Sequence, residues 1–199
     1  MLAGYLAMAS SFALHWVVGR VAPLHYVIPD LLQQFPFFTL LSILLMLSVI
    51  AGIVEEAAFR GYMQGPIERR HGLAVAIVVV SIVFGLAHLT DLQPSMTIAR
   101  MFFIVVASVL YGVLVHLTDS IRPGVVLHAT GDAIGIVWIW WLTRHPGSGP
   151  SQHGLSSALN DTGFWMNGLL SVVFGVAAVW AFRRLARVAR SERAEASSL

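Results

Sequence analysis

The sequence has no cysteine and no lysine, and it carries little charge of either sign. The absence of cysteine excludes disulfides, thiolate metal sites and a cysteine nucleophile. Only 11% of the 199 residues are charged, whereas a soluble domain has about 25%. The formal net charge is only +2, so no basic face is available for nucleic acid. A water-soluble protein and a nucleic-acid-binding protein are both excluded, and any chemistry here uses His, carboxylate or hydroxyl groups.

The chain is instead rich in apolar sequence, with 57% of its residues hydrophobic. About 20 such residues span the hydrocarbon core of a bilayer. Six runs lack Asp, Glu and Arg, apart from Asp132 in the fifth, and we expect each to form a membrane helix. They cover residues 1–19, 31–54, 72–90, 101–118, 123–143 and 162–182. The predicted fold is therefore all-α, a single polytopic bundle of about six transmembrane helices over residues 1–199.

The arginines predict the orientation, because basic residues of short loops stay on the cytoplasmic side. With the basic tail 183–199 inside, six spans place both termini in the cytoplasm, and 64–72 becomes the main cytoplasmic connector. The missing lysine and abundant alanine and arginine favour a bacterial source. We therefore expect an integral protein of the bacterial inner (plasma) membrane. Nine of the twelve arginines are then cytoplasmic: Arg60, Arg69, Arg70, Arg122, Arg183, Arg184, Arg187, Arg190 and Arg193.

Ionisable residues inside the spans are the informative ones, because each charge at the bilayer centre costs roughly 2.5 to 3.5 kcal/mol. Glu55 and Glu56 lie at the end of the second span. Glu56 and Arg60 are four positions apart and share a helix face in the favourable order for an ion pair. Glu56 is thus neutralised, and Glu55 is left free to react.

Two further spans carry histidines. His88 follows Phe84 by one turn, and Gly85 between them lets another helix or a substrate approach closely. His128 and Asp132 are four positions apart and share a face of the fifth span. Polar groups buried in three separate spans point to one convergent site.

A glutamate and two histidines are the groups that activate water, with the carboxylate as general base and the imidazoles as metal ligands or oxyanion donors. The sequence contains no His-Glu-x-x-His, which excludes a zincin-like site. It has no lysine for a serine–lysine dyad and no second membrane-centred aspartate for an aspartyl protease. Hydrolysis inside the membrane is therefore the predicted chemistry.

Three segments resemble the motifs of one protease family and occur in its order. Residues 55–62 match Glu-Glu-x-x-x-Arg, residues 84–88 match Phe-x-x-x-His, and residues 128–132 match His-x-x-x-Asn/Asp. Residues 120–124 also resemble the Ser-x-x-Pro turn that precedes the last motif. By this resemblance the chain is identified as a member of the CAAX protease and bacteriocin-processing (CPBP, or Abi) family of intramembrane metalloproteases, with its motif core at 54–132.

The resemblance implies a CAAX-protease-like helical core that hydrolyses a peptide bond in a membrane-associated or hydrophobic substrate, with a site open to the cytoplasmic leaflet. By position, Glu55 corresponds to the water-activating base, and Glu56 and Arg60 to its support. His88 would bind or activate the water. His128 and the residue at 132 would stabilise the oxyanion or complete a metal site.

The last motif position and the cofactor stay open. This chain has Asp132, and an ionised aspartate cannot donate to an oxyanion, so it would orient His128, bind a metal or be protonated. A divalent metal, zinc first, would be held by Glu55, His88 and His128. A metal-free glutamate mechanism is equally consistent with the residues.

Two other functions are open on the sequence. A non-catalytic membrane scaffold or bacteriocin self-immunity protein would use the same motifs as a polar core. An ion-coupled transporter would also bury Glu and His, but it usually shows repeats, and none is present. The expected partners are a peptide or protein substrate and the lipid bilayer, without nucleic acid. The oligomeric state is not readable from the sequence.

Simple hairpins leave one geometric difficulty. His88 lies about 17 residues into a span that starts at the cytoplasmic side, about 25 Å deeper than Glu55 and His128. We therefore predict a broken or bent segment near Gly61, Gly65 and Pro66. A shared site requires that Glu55 and His88 lie within about 12 Å of each other.

Overall fold

The computed structural model describes residues 1–21, 35–89, 98–145 and 155–196. Helices are its only regular elements within these ranges, which confirms the all-α fold. In chain order they are α1 Leu2–Val21, α2 Phe37–Glu56, a π-helical segment Ala57–Gln64, α3 Gly65–His71, α4 Leu73–Ala87, α5 Ile98–Thr118, α6 Arg122–Arg144, α7 Leu155–Ala158 and α8 Thr162–Ala196.

Each of the six apolar runs contributes a helix. Four helical stretches are long and apolar enough to cross a membrane, namely Leu2–Val21, Phe37–His71, Met101–Thr118 and Thr162–Ala196. The third run gives α4, which has only 15 residues and spans about 22 Å, less than the roughly 30 Å of the hydrocarbon core. The fifth run lies in α6, whose 23 residues contain His128 and Asp132.

A single residue makes the turn between the second and third runs. Helix α2, the π-helical segment and α3 follow one another without a break as far as His71. Gly72 then reverses the chain with φ 85° and ψ 163°, a conformation that only glycine adopts readily. Glu56 lies 16 residues before Gly72 and His88 lies 16 residues after it, so α4 carries His88 back to the level of Glu56.

This hairpin corrects two expectations. The 64–72 segment is not a loop connector, because it is helical up to His71. The predicted 25 Å offset of His88 is also wrong, since it assumed that the second span ends soon after Glu56. In place of a break near Gly61, the chain forms π turns that end at Gln64, and Pro66 falls in the first turn of α3.

Helix α5 runs parallel to the 57–71 stretch, and polar contacts join the two once per turn. We call these contacts the polar ladder. Each joins residues 48 positions apart, so the register is constant. The contacts are Arg60 Nη2 with Ser108 Oγ (2.8 Å), Gln64 Nε2 with the Gly112 carbonyl (3.0 Å) and Glu68 Oε1 with His116 Nδ1 (2.6 Å).

The ladder corrects the use of Arg60 as an orientation signal. Its side chain is fully buried and ion-paired with Glu56, so it is not a loop arginine. Eight of the nine arginines assigned to the cytoplasmic side remain. One of them, Arg193, donates to the His116 carbonyl at 2.7 Å, which brings the basic tail of α8 to the end of the molecule where Glu68 lies.

Helices α1 and α8 pack side by side in opposite directions. Ser10 Oγ donates to the Ser171 carbonyl at 2.8 Å, and Ser171 Oγ donates to the Ser10 carbonyl at 3.1 Å. An ion pair joins Arg20 to Asp161. Both contacts fit one antiparallel register, so the N-terminus lies at the end of the molecule where α8 continues into its arginine-rich tail.

Candidate active site

Four of the predicted residues converge from three elements: the end of α2, the end of α4 and the first turns of α6. Glu55 Oε2 lies 4.0 Å from His88 Nε2 and 3.7 Å from His128 Nε2. Asp132 Oδ2 lies 3.6 Å from the same His128 nitrogen. The Glu55 to His88 distance is far below the limit set for a shared site, so the structure brings these side chains together.

Glu56 and Arg60 form a buried layer behind this cluster. Glu56 Oε1 lies 3.0 Å from Arg60 Nη1 and accepts a hydrogen bond from His128 Nδ1, also at 3.0 Å. Arg60 donates from Nη2 to the backbone carbonyl and to the hydroxyl of Ser108. The predicted Glu56–Arg60 ion pair is present, and it also fixes the second histidine.

Aromatic rings enclose the buried layer. The Arg60 guanidinium lies 4.6 Å from the Phe84 ring centroid and 5.2 Å from that of Tyr111, distances at which a cation is attracted to a ring face. Tyr111 also stacks on the His128 imidazole, with centroids 5.0 Å apart and planes at 15°. Ser108 and Tyr111 were not among the predicted site residues, although both contact them.

Glycines allow the helices that carry the site to approach one another. A Cβ on Gly124 would lie 2.7 Å from Glu56 Oε2, and one on Gly52 would lie 3.1 Å from the Ala129 backbone nitrogen. A Cβ on Gly85 would lie 2.8 Å from Val105 of α5, which confirms the close approach predicted there. Small residues are the usual means of close helix packing in membranes.

Exposure divides the site into two layers. The side chains of Glu55, His88 and Asp132 are 30%, 27% and 39% exposed. The side chains of Glu56 and Arg60 are completely buried. A substrate or water molecule can therefore reach the first three, whereas Glu56 and Arg60 can act only through their neighbours.

The hydrogen bonds of the two histidines determine which ring nitrogens face the cluster. His88 Nδ1 lies 2.8 Å from the Phe84 carbonyl, which can only accept, so this nitrogen carries the proton. His128 Nδ1 donates in the same way to the Glu56 carboxylate. In the neutral rings both Nε2 atoms then present lone pairs toward Glu55. The cluster consists of acceptors, and a water molecule or a cation between them would satisfy it.

The distances between these acceptor atoms show how well the cluster matches the geometry of a metal site. Zinc ligands at about 2.0 to 2.1 Å place tetrahedral donor atoms about 3.3 Å apart, and a central water with hydrogen bonds of about 2.8 Å places them about 4.6 Å apart. The observed 3.6 to 4.0 Å lies between these values. Within the described part of the chain, no three His, Asp or Glu side chains form a group spaced to hold a metal.

Comparison with known families gives a match over residues 37–134, to the model described as type II CAAX prenyl endopeptidase Rce1-like. Over these residues the chain is similar to the Rce1-like family. The match covers α2, the hairpin, α5 and the start of α6, and hence every predicted site residue. It confirms the resemblance found in the motifs. Searches of curated proteins and of solved structures return no match.

The Rce1-like match and the apolar helices together indicate the cellular location and the general class of the protein. It is an integral membrane protein, and at the level of the family it is a CAAX-type intramembrane protease. Of the six candidate site residues, Glu55, Glu56 and Arg60 lie in the Phe37–His71 stretch, one of the four described stretches long and apolar enough to cross a membrane.

Proposed function

We propose that this Rce1-like chain is an endopeptidase that uses water activated by Glu55 to cleave a peptide bond in a hydrophobic or membrane-associated protein. One observation carries the proposal: an accessible glutamate faces the lone pairs of two histidine Nε2 atoms among membrane helices. Such a set of acceptors holds a water molecule by its hydrogens and leaves the water oxygen free to attack.

The proposed reaction uses Glu55 twice. Its carboxylate takes a proton from the water as the water oxygen bonds to the peptide carbonyl carbon, and His88 Nε2 orients that water. The carbonyl electron pair moves onto its oxygen. As the C–N bond breaks, Glu55 returns the proton to the leaving amine nitrogen, so base and acid are the same residue.

Glu56 and Arg60 act in this scheme by positioning His128. The Glu56 carboxylate fixes the His128 ring through Nδ1, and Arg60 holds that carboxylate. Such supporting hydrogen bonds keep reacting groups in a productive geometry. Asp132 completes the cluster from the open side, 3.6 Å from His128 Nε2.

A divalent metal, zinc first, is the alternative way to activate the water. The tautomers favour it, because metal-binding histidines usually donate their second ring N–H to a carboxylate or carbonyl, as His88 and His128 do here. Glu55, His88 and His128 would hold the ion, which would supply a Lewis acid. The spacing of the three side chains does not match this set, so the scheme above includes no metal step.

The test is cleavage of quenched fluorescent peptides by the purified protein in detergent. The peptides include unmodified hydrophobic sequences and prenylated CAAX sequences. Wild type is compared with Glu55→Gln, with and without a strong chelator, and Glu192→Gln in the exposed tail is the matched control. We expect Glu55→Gln to lower kcat about 10²- to 10⁴-fold, the usual contribution of a general base, and Glu192→Gln to be unchanged.

The outcomes separate the alternatives. Loss in Glu55→Gln but not with chelator supports the glutamate mechanism, and loss in both supports the metal site. Undiminished cleavage by Glu55→Gln would refute the mechanism. A wild type that cleaves none of the peptides, prenylated or not, would favour the scaffold or self-immunity function, for which Glu55→Gln should be silent.

A further inference from the structure

The site has many acceptors and few donors for the charge that develops on the carbonyl oxygen. Nδ1 of both histidines is already bound, and ionised Glu55 and Asp132 only accept. Oxyanion stabilisation normally requires at least one well-placed donor. A further donor near the cluster is therefore needed.

Two nearby donors are already engaged. Arg60 directs its terminal nitrogens to Glu56 and Ser108, and its side chain is fully enclosed. The Thr130 hydroxyl donates to the Val126 carbonyl of its own helix at 2.7 Å. Neither is available to a substrate carbonyl.

Tyr111 has a free donor beside the cluster. Its ring is stacked on the His128 imidazole and is only 7% exposed. Its hydroxyl makes no hydrogen bond to any residue in the described ranges. The hydroxyl lies 3.7 Å from where a Cβ of Gly131 would be, one residue before Asp132. The hydroxyl oxygen is not fully enclosed, so a ligand can reach it, and its O–H is available to donate to that ligand.

We propose that the Tyr111 hydroxyl donates a hydrogen bond to the peptide carbonyl oxygen during hydrolysis. The inference rests on the proposed function. No proton is transferred from Tyr111: the carbonyl electron pair becomes an oxyanion, the hydroxyl binds it, and the bond weakens again when the carbonyl reforms. Stacking on His128 fixes the direction of the phenol beside the cluster.

The experiment compares Tyr111→Phe with wild type, because phenylalanine keeps the stacked ring and removes only the hydroxyl. Tyr62→Phe is the matched control, since Tyr62 is 85% exposed. We expect Tyr111→Phe to lower kcat about 10²- to 10³-fold, the effect of removing one oxyanion donor, with KM unchanged. The Tm in detergent should match that of wild type.

A second readout does not depend on turnover. A peptidyl trifluoromethyl ketone forms a tetrahedral hydrate that resembles the intermediate, whereas an uncleaved substrate analogue does not. Tyr111→Phe should weaken binding of the ketone and leave binding of the analogue unchanged. If Tyr111→Phe lowers the Tm, 3,5-difluorotyrosine at 111 keeps the ring and makes the hydroxyl more acidic, so a donor role predicts a changed kcat.

Parallel assay of Glu55→Gln separates the two proposals. If Glu55→Gln is inactive while Tyr111→Phe cleaves and binds the ketone as wild type does, Tyr111 is only a packing residue and this inference fails alone. If wild type does not cleave, or Glu55→Gln cleaves fully, the proposed function fails and the role of Tyr111 fails with it.

Discussion

Gly124 decides how closely α6 can approach the buried carboxylate of Glu56. A Cβ there would lie 2.7 Å from Glu56 Oε2, and Glu56 is enclosed on all sides. We expect Gly124→Ala to destabilise the protein by about 1 to 3 kcal/mol, the usual cost of overpacking. It should also reduce cleavage, because Glu56 holds His128. Thermal unfolding in detergent and the peptide assay measure both effects.

Gly135 provides the control on the same helix. Nothing lies within 4 Å of a Cβ at that position, so Gly135→Ala should be neutral or should stabilise the protein by up to about 1 kcal/mol through helix propensity. Equal behaviour of the two alanine variants would show that α6 can shift without disturbing Glu56.

The sequence predicts the ionisable residues of the cluster better than the residues that pack against them. Glu55, His88 and His128 are recognisable because ionisable groups are expensive inside an apolar span. Tyr111 and Gly124 carry no such signal. An amphipathic ring or a glycine is ordinary in a membrane helix, and its importance depends on which neighbouring helix packs against it.

At the scale of elements, the hairpin at Gly72 sets the level of His88. The φ of 85° with ψ of 163° belongs to a region that is essentially restricted to glycine. We expect Gly72→Ala to cost about 1 to 3 kcal/mol and to lower the Tm in detergent. Gly168→Ala in α8, where a Cβ would meet nothing within 4 Å, is the control. A Tm equal to that of the control would contradict the role of Gly72.

The hairpin and the polar ladder show what the apolar runs leave undetermined. Runs without charge predicted the helices, but they ended the second span at residue 54 and left Arg60 and Glu68 outside the spans. Both belong to the ladder, which pairs polar positions of the 57–71 stretch with Ser108, Gly112 and His116. The repeated spacing of four residues on each helix was a visible signal, and only the pairing of the two stretches required the structure.

At the scale of the whole molecule, contacts between charged or polar side chains lie toward both ends. Glu68, His116 and Arg193 meet at one end, where the N-terminus also lies by the register of α1 with α8. The Arg20–Asp161 ion pair lies toward the other end. The start of α1 and the end of α8 thus lie at the same end of the molecule, and the positive-inside rule predicts that the basic tail there faces the cytoplasm.

We therefore propose that both termini are cytoplasmic in a bacterial inner membrane, and fusions to each terminus test it. Green fluorescent protein should fluoresce at either end, and alkaline phosphatase, which is active only after export, should be inactive at both.

Substituting Arg183, Arg184, Arg187 and Arg190 by Gln removes four exposed charges from the tail without touching the site. If the positive charge holds the tail inside, phosphatase activity at the C-terminus should rise in this variant. High phosphatase activity at the wild-type C-terminus would invert the orientation and would place the opening of the site on the opposite leaflet.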